Sequence, residues 1–175
     1  MIRDFRLSPN FTFYEFTGTH HADLLEENRR YGLQHLARLV LRARRMELYR
    51  RILGNIPIAI SCGVRCPALN ARVKGSRISQ HLEALAEDWG LRDFKAPGDR
   101  LATFRIIEDF HESSPVAFGQ LIYEKAQRYY GVATWLHTSE GAPFRPLAKC
   151  GQILTMEDGD YILEWSKDFA EWKLG

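Results

Sequence analysis

The sequence is short of the features that mark specialised chain classes. It has three cysteines in 175 residues, too few for a disulfide framework and odd in number. No run approaches the roughly 18 consecutive apolar residues of a membrane span, so no stable membrane insertion is expected. No sign of charge dominates. Lys plus Arg number 24 against 22 Asp plus Glu, which argues against a nucleic-acid partner. There is no internal repeat, no low-complexity tract and no long linker. Residues 1–10 lack the apolar run and small-residue cleavage site of a secretory signal. Synthesis as a soluble cytoplasmic protein, or loss of a signal ahead of residue 1, is therefore expected, and any action outside the membrane needs separate delivery.

What is present is that of a globular protein. Apolar residues make up 45% and charged residues 26%, which excludes a disordered chain. The length suits one sizeable core rather than two. Four tryptophans and ten phenylalanines can anchor that core without a bridge. A single domain over residues 1–175, acting as a monomer, is the expectation.

Periodicity places the elements. Residues 9–18 hold a short helix or turn, with Asn10, Thr12 and Thr17 as candidate caps. Residues 28–53 read as one long helix, with Leu33, Leu36, Val40, Ala43 and Met46 on one face. Arg38, Arg42 and Arg45 share another face, read as solvated rather than as a nucleic-acid patch. Gly54-Asn55 ends the helix. Strands are expected over residues 57–62, 120–124, 132–137 and 161–164. Helical turns are expected over 66–73, and a second amphipathic helix over 101–110 with Phe104, Ile107 and Phe110 together. Trp165, Phe169 and Trp172 at helical spacing suggest a C-terminal helix covering the core. Helices early and strands late point to α+β: an antiparallel sheet with helices on one side.

Six histidines are candidates for chemistry. His20, His21, His35 and His111 read as structural or surface residues. His81 follows a glycine-containing loop, and His137 ends an apolar strand. A catalytic zinc takes three protein ligands from His, Asp, Glu and Cys and leaves a fourth position for water. His81, Asp88 and His137 would supply two imidazoles and a carboxylate. Spacing alone allows this set without establishing it, since the short helical His-Glu-x-x-His motif is absent.

Several blocks, in order, resemble the zinc D-alanyl-D-alanine carboxypeptidase family, whose metal site is shared with lysostaphin and the hedgehog domain. Ser61-Cys62-Gly63-Val64-Arg65-Cys66-Pro67-Ala68-Leu69-Asn70 is similar to the family's Ser-Gly-Tyr-Arg-Ser-Pro-x-x-Asn. Ser79-Gln80-His81 follows, with Ala86 and Asp88 at the family's offsets. Phe118-Gly119-Gln120-Leu121-Ile122-Tyr123-Glu124 resembles Phe-Asp-Gln-Leu-Ile-x-Glu. Trp135-Leu136-His137-Thr138-Ser139 resembles Trp-Val-His-Val-Ser. Phe11-Thr12-Phe13-Tyr14-Glu15-Phe16 resembles the opening of short phage and bacterial members. The resemblance spans residues 11–139, and residues 140–175 read as an extension packing on it.

The resemblance implies a zinc site on the open face of the sheet and a peptidase acting on peptidoglycan stem peptides. The metal ligands would be His81, Asp88 and His137. Arg65 would hold the substrate beside the scissile bond with its planar fork of donors, and Ser79 would help bind it. Glu124 would be the general base. The partner would be bacterial peptidoglycan, and the context phage lysis or a virion. Three positions depart from the family: Thr134 where a glutamate is common, Ala84 where a glycine is usual, and Trp89 where a smaller residue is usual. A relative that keeps the fold and binds the wall without cutting it is the alternative. Cys62 and Cys66 could pair outside the cell or stay reduced inside it, and Cys150 is read as a free or buried thiol.

Overall fold

The computed structural model describes residues 2–92, 97–114, 118–124, 135–141, 150–157 and 160–166. Helix α1 (Phe13–Thr17) starts where Thr12 and Glu15 form a reciprocal capping box, which satisfies two otherwise orphaned N–H groups. Its buried Phe13 and Phe16 press it onto the first strand. The long helix read from residues 28–53 is two helices, α2 (Leu25–Gln34) and α3 (Leu36–Ile52).

The break falls at His35, which leaves helical geometry while its N–H bonds the Gly32 carbonyl. Each half serves a different neighbour. In α2, Gly32 lies so close to α1 that a Cβ there would come within 2.5 Å of Thr17. In α3, Leu39, Ala43 and Met46 are fully buried in the main core. One straight axis cannot satisfy both contacts, and Leu33, expected inside, is 40% exposed. The C-terminal signal of α3 stands: Gly54 and Asn55 both take positive φ.

The sheet has six strands: β1 (Ile58–Cys62), β2 (Ala86–Leu91), β3 (Gln120–Glu124), β4 (Trp135–Ser139), β5 (Gln152–Glu157) and β6 (Asp160–Ser166). Their spatial order is β1-β2-β4-β3-β5-β6. The other helices are α4 (Pro67–Arg72) and α5 (Pro97–Ser113). The α+β class holds, but the sheet is mixed rather than purely antiparallel. β3 and β5 run parallel, while the other neighbours are antiparallel. The cause is topological. The chain leaves β4 and re-enters the sheet beyond β3, so β5 runs opposite to β4 and alongside β3.

β2 and β5 were not expected as strands. The Glu87-Asp88 pair hides β2, because its charges are buried in partnerships no periodicity shows. β6 brings Trp165 into register with Ile153, so Trp165 belongs to an edge strand and not to a helix. Phe169 and Trp172 lie outside the described residues, as do 132–134 of the third expected strand, Thr134 among them.

Alternation along the strands divides the sheet into two faces. On the back, Trp89 of β2 packs on Tyr49 of α3 and Phe104 of α5, with ring centroids 5.7 and 5.3 Å apart. Leu121, Leu136 and Ile153 complete this core. The two long helices thus cover the back and leave the front to the loop of residues 63–85. Among the described helices none is long and apolar enough to cross a membrane.

The arginine face of α3 is corrected too. Arg42 is 1% exposed and binds Glu87 and Glu140, with Arg45 on Glu140 as well. Arg38 pairs with Glu83. These arginines neutralise carboxylates carried by the sheet and the loop beside it. The balanced charge noted in the sequence is, at this helix, a set of specific pairs.

Candidate metal centre

The register of the sheet sets a row across the front face. Cys62 is opposite Asp88, Asp88 opposite His137, His137 opposite Ile122, and Ile122 opposite Leu154. Two of the three expected ligands are therefore cross-strand neighbours, which places their side chains together. His81 comes from the one-turn 3-10 helix Gln80–Glu83, which lies against β2.

His81 reaches its place because the loops before it are pinned from inside. Buried Asn28 donates to the carbonyls of Thr17 and Val64 and accepts from the Cys66 N–H. Gly63 passes so close to Phe16 that a Cβ would sit 2.8 Å from its carbonyl oxygen. Asn70 donates to the Gly75 and Ser76 carbonyls. Ala84 turns the chain from His81 into β2 with φ 51°, a left-handed conformation that favours glycine.

Three donor atoms converge. His81 Nε2 is 3.2 Å from Asp88 Oδ1 and 3.3 Å from His137 Nδ1, and His137 Nδ1 is 2.7 Å from the same Oδ1. Ligands about 2.0–2.1 Å from a tetrahedral zinc lie about 3.3 Å from one another. Two of the three separations match that edge, and the third is somewhat shorter. The donor set, two imidazole nitrogens and one carboxylate oxygen, suits zinc. On the far side of the His81 ring, Nδ1 donates to the Gly63 carbonyl at 3.2 Å. That bond sets the tautomer and leaves Nε2 with its lone pair toward the other two atoms.

The electrostatics follow from this crowding. Burial opposes charge on His81, but Asp88 and Cys62 beside it prevail and push its pKa up to about 10. Burial would raise Asp88, yet His81 and His137 hold its carboxyl well below the usual carboxylate range. Burial lowers His137. A single carboxylate facing two imidazoles is the arrangement in which a cation and a proton compete for the same nitrogens.

The other expected residues gather here. A cleft of about 720 Å³ is lined by Arg65, Ser79, His81, Asp88, Glu124 and His137, among others. Arg65 Nη2 donates to Asp88 Oδ2 at 2.8 Å and its Nε to Cys62 Sγ at 3.1 Å. Arg65 is thus tied to the centre itself as well as facing the cleft. Ser79 occupies the N-cap position of the 3-10 helix, without a side-chain capping bond, and lines the cleft. Glu124 is two residues along β3 from Ile122, the partner of His137. That makes it a diagonal neighbour of His137, about 7–8 Å between Cα atoms.

Sequence reasoning missed three contributors. Tyr161 of β6 lines the cleft; its hydroxyl pKa is raised by partial burial and then by Glu124. Asn28 pins the Arg65 loop from within α2, and no sequence signal pointed to it. Cys62 lies within 4.8 Å of donor atoms of His81 and Asp88; the cysteines were the part of the composition from which least was expected. Cys62, Cys66 and Cys150 are all free thiols.

No curated protein matches the chain. Residues 17–119 match the model of a family described as Peptidase M15. The match takes in Arg65, Ser79, His81 and Asp88, and stops just before β3. It covers more than half of the sequence, and the chain therefore belongs to the Peptidase M15 family.

Proposed function

We propose that this protein is a zinc-dependent peptidase that hydrolyses peptide bonds in the stem peptides of bacterial peptidoglycan. The observation that carries the reading is the convergence of His81 Nε2, Asp88 Oδ1 and His137 Nδ1 within 2.7–3.3 Å of one another beside a cleft. The three residues would hold the metal. Zinc, when bound, supplies an acidified water and a Lewis acid for the scissile carbonyl.

The chain's own residues do the rest. Glu124 takes the proton of the attacking water and hands it to the leaving amine, from a strand position one diagonal away from His137. Arg65 has five N–H groups, and Asp88 and Cys62 engage two. Those that remain donate to the substrate carbonyl or a neighbouring carboxylate, where charge grows in the transition state. Ser79 binds substrate at the cleft rim. A stem peptide would also meet Gln120, Gln152 and Tyr161, which line the same cleft. Carboxypeptidase and endopeptidase action both fit this site. The resemblance of residues 11–16 to the opening of short phage and bacterial members supports a phage lysis or virion context at the cell wall.

Digestion of purified peptidoglycan, with mass analysis of the fragments and a chelator control, tests the reading. Chelator-sensitive release of D-alanine or of stem fragments is expected. Stem binding without any released fragment would make the chain a wall-binding relative instead. A zinc-loaded preparation retaining no stoichiometric metal would overturn the metal assignment.

A further inference from the structure

The bulge in β1 has a consequence for the metal centre. Ile60 pairs with Trp89, yet Cys62 pairs with Asp88, because the register shifts between them. Without the extra residue, Ser61 would stand opposite Asp88. Bulges re-aim side chains in this way next to functional sites. Here the bulge brings sulfur, not the Ser61 hydroxyl, into the front-face row. Ser61 instead donates its hydroxyl hydrogen to the Asp88 main-chain carbonyl, which holds the bulge against β2.

The Cys62 sulfur has two neighbours. It accepts from Arg65 Nε at 3.1 Å, and His81 Nδ1 lies 3.6 Å from it. The same guanidinium donates from Nη2 to Asp88 Oδ2. The sulfur therefore grips one end of a planar fork whose other end grips the carboxylate. With Oδ2 taken, Oδ1 is the oxygen turned to both histidines.

We propose that Cys62 is a positioning residue for the metal centre, acting through Arg65 on the Asp88 carboxylate and directly on the His81 ring. This rests on the reading of His81, Asp88 and His137 as the metal ligands. Sulfur suits the place because its size lets one atom reach both Arg65 Nε and the edge of the imidazole. Its position beyond Nδ1, on the far side of the ring from Nε2, makes it an outer partner and not a ligand. Outer partners of this kind typically contribute 10–100-fold in metal affinity.

The test is zinc affinity by competition with a chromophoric chelator, in the wild type, Cys62→Ala and Cys62→Ser. All three are compared by circular dichroism at a temperature where each is folded, so that lost affinity is not lost fold. Cys62→Ala should bind zinc at least about tenfold more weakly. Cys62→Ser, which keeps an acceptor, should recover part of that loss. Cobalt-loaded wild type should show ligand-field bands without a sulfur-to-cobalt charge-transfer band. A loss below tenfold in Cys62→Ala, or no recovery in Cys62→Ser, overturns the proposal. A charge-transfer band also overturns it, by making Cys62 a ligand. If the wild type itself takes up no zinc, it is the assignment of the three ligands that fails.

Discussion

Glu87 and Asp88 are adjacent on β2 and both are buried, but they face opposite sides of the sheet. Glu87, on the back, binds Arg42 through both carboxylate oxygens and accepts from Thr138. Thr138 in turn accepts from the Trp89 indole. Charges and donors there are matched and sealed under α3. Asp88, on the front, faces two imidazoles and a guanidinium at the floor of an open cleft. Its surroundings converge donor atoms on one point. The back cluster is a closed network that locks β2 against β4. The front cluster is the same pair of strands put to chemical use. Glu87 lies opposite Thr138 and Asp88 opposite His137, so the lock on one face sets the register of the ligands on the other.

This contrast predicts where substitutions act. On the front, His81→Ala or His137→Ala should abolish both zinc retention and hydrolysis while leaving a folded protein, because neither ring belongs to the core cluster. Metal analysis and peptidoglycan digestion read this out, and retention of stoichiometric zinc would break the comparison. Glu124→Gln should keep the metal and lower turnover about 10²–10⁴-fold, the usual contribution of a general base. Single-turnover rates on a stem peptide would show it.

On the back, the effect should be on stability. Arg42→Met leaves the fully buried Glu87 without its cation, while Glu140 keeps Arg45. The loss costs about 3–5 kcal/mol in a urea melt. Changing Arg42 and Glu87 together to apolar residues should cost far less, since no charge is left stranded. Equal losses for the single and double changes would show that the pair's geometry matters more than its charge.

Smaller effects lie between the faces. Ala84→Gly should stabilise the protein by about 1 kcal/mol, by removing a left-handed alanine just after His81. Glu47 of α3 holds Ser8 and Asn10 of the N-terminal segment. Its burial would raise its pKa, but the bonds from Asn10 and Ser8, with Arg50 nearby, lower it on balance. A carboxyl lowered in the fold contributes stability above its ordinary pKa of 4.5. That contribution is lost as pH falls through the folded value. Wild type and Glu47→Gln should therefore converge in unfolding free energy as pH drops below about 4.5.

Much of the front face was legible in advance. The ordered blocks around Arg65, His81, Asp88, Glu124 and His137 name residues that the structure gathers around one cleft. The strands carrying Glu124 and His137 were also readable, as two short apolar runs. The back face was legible in its apolar anchors, Ala43, Met46, Phe104 and Ile107, but not in its charges. Helical spacing put Arg42 on a solvated face because periodicity registers hydropathy and not the carboxylates waiting on another element. β2 escaped notice for the same reason, since two consecutive acids look like surface. The break at His35 depends on two packing partners pulling on one apolar pattern, and the parallel pairing of β3 with β5 depends on how the chain returns to the sheet.

By itself, the sequence determined the α+β class, the capped short helix before the site, the glycine and asparagine stop of α3, and the residues able to bind a metal. These are local matters of periodicity, capping and side-chain chemistry. The tertiary structure decided which atoms of those residues meet. It set the Nδ1 of His81 on a carbonyl, turned one oxygen of Asp88 to the histidines and the other to Arg65, and moved Cys62 into the row through a bulge. Such choices depend on strand register and on partners 7 to 56 residues apart in the chain, most of them beyond the reach of any local pattern.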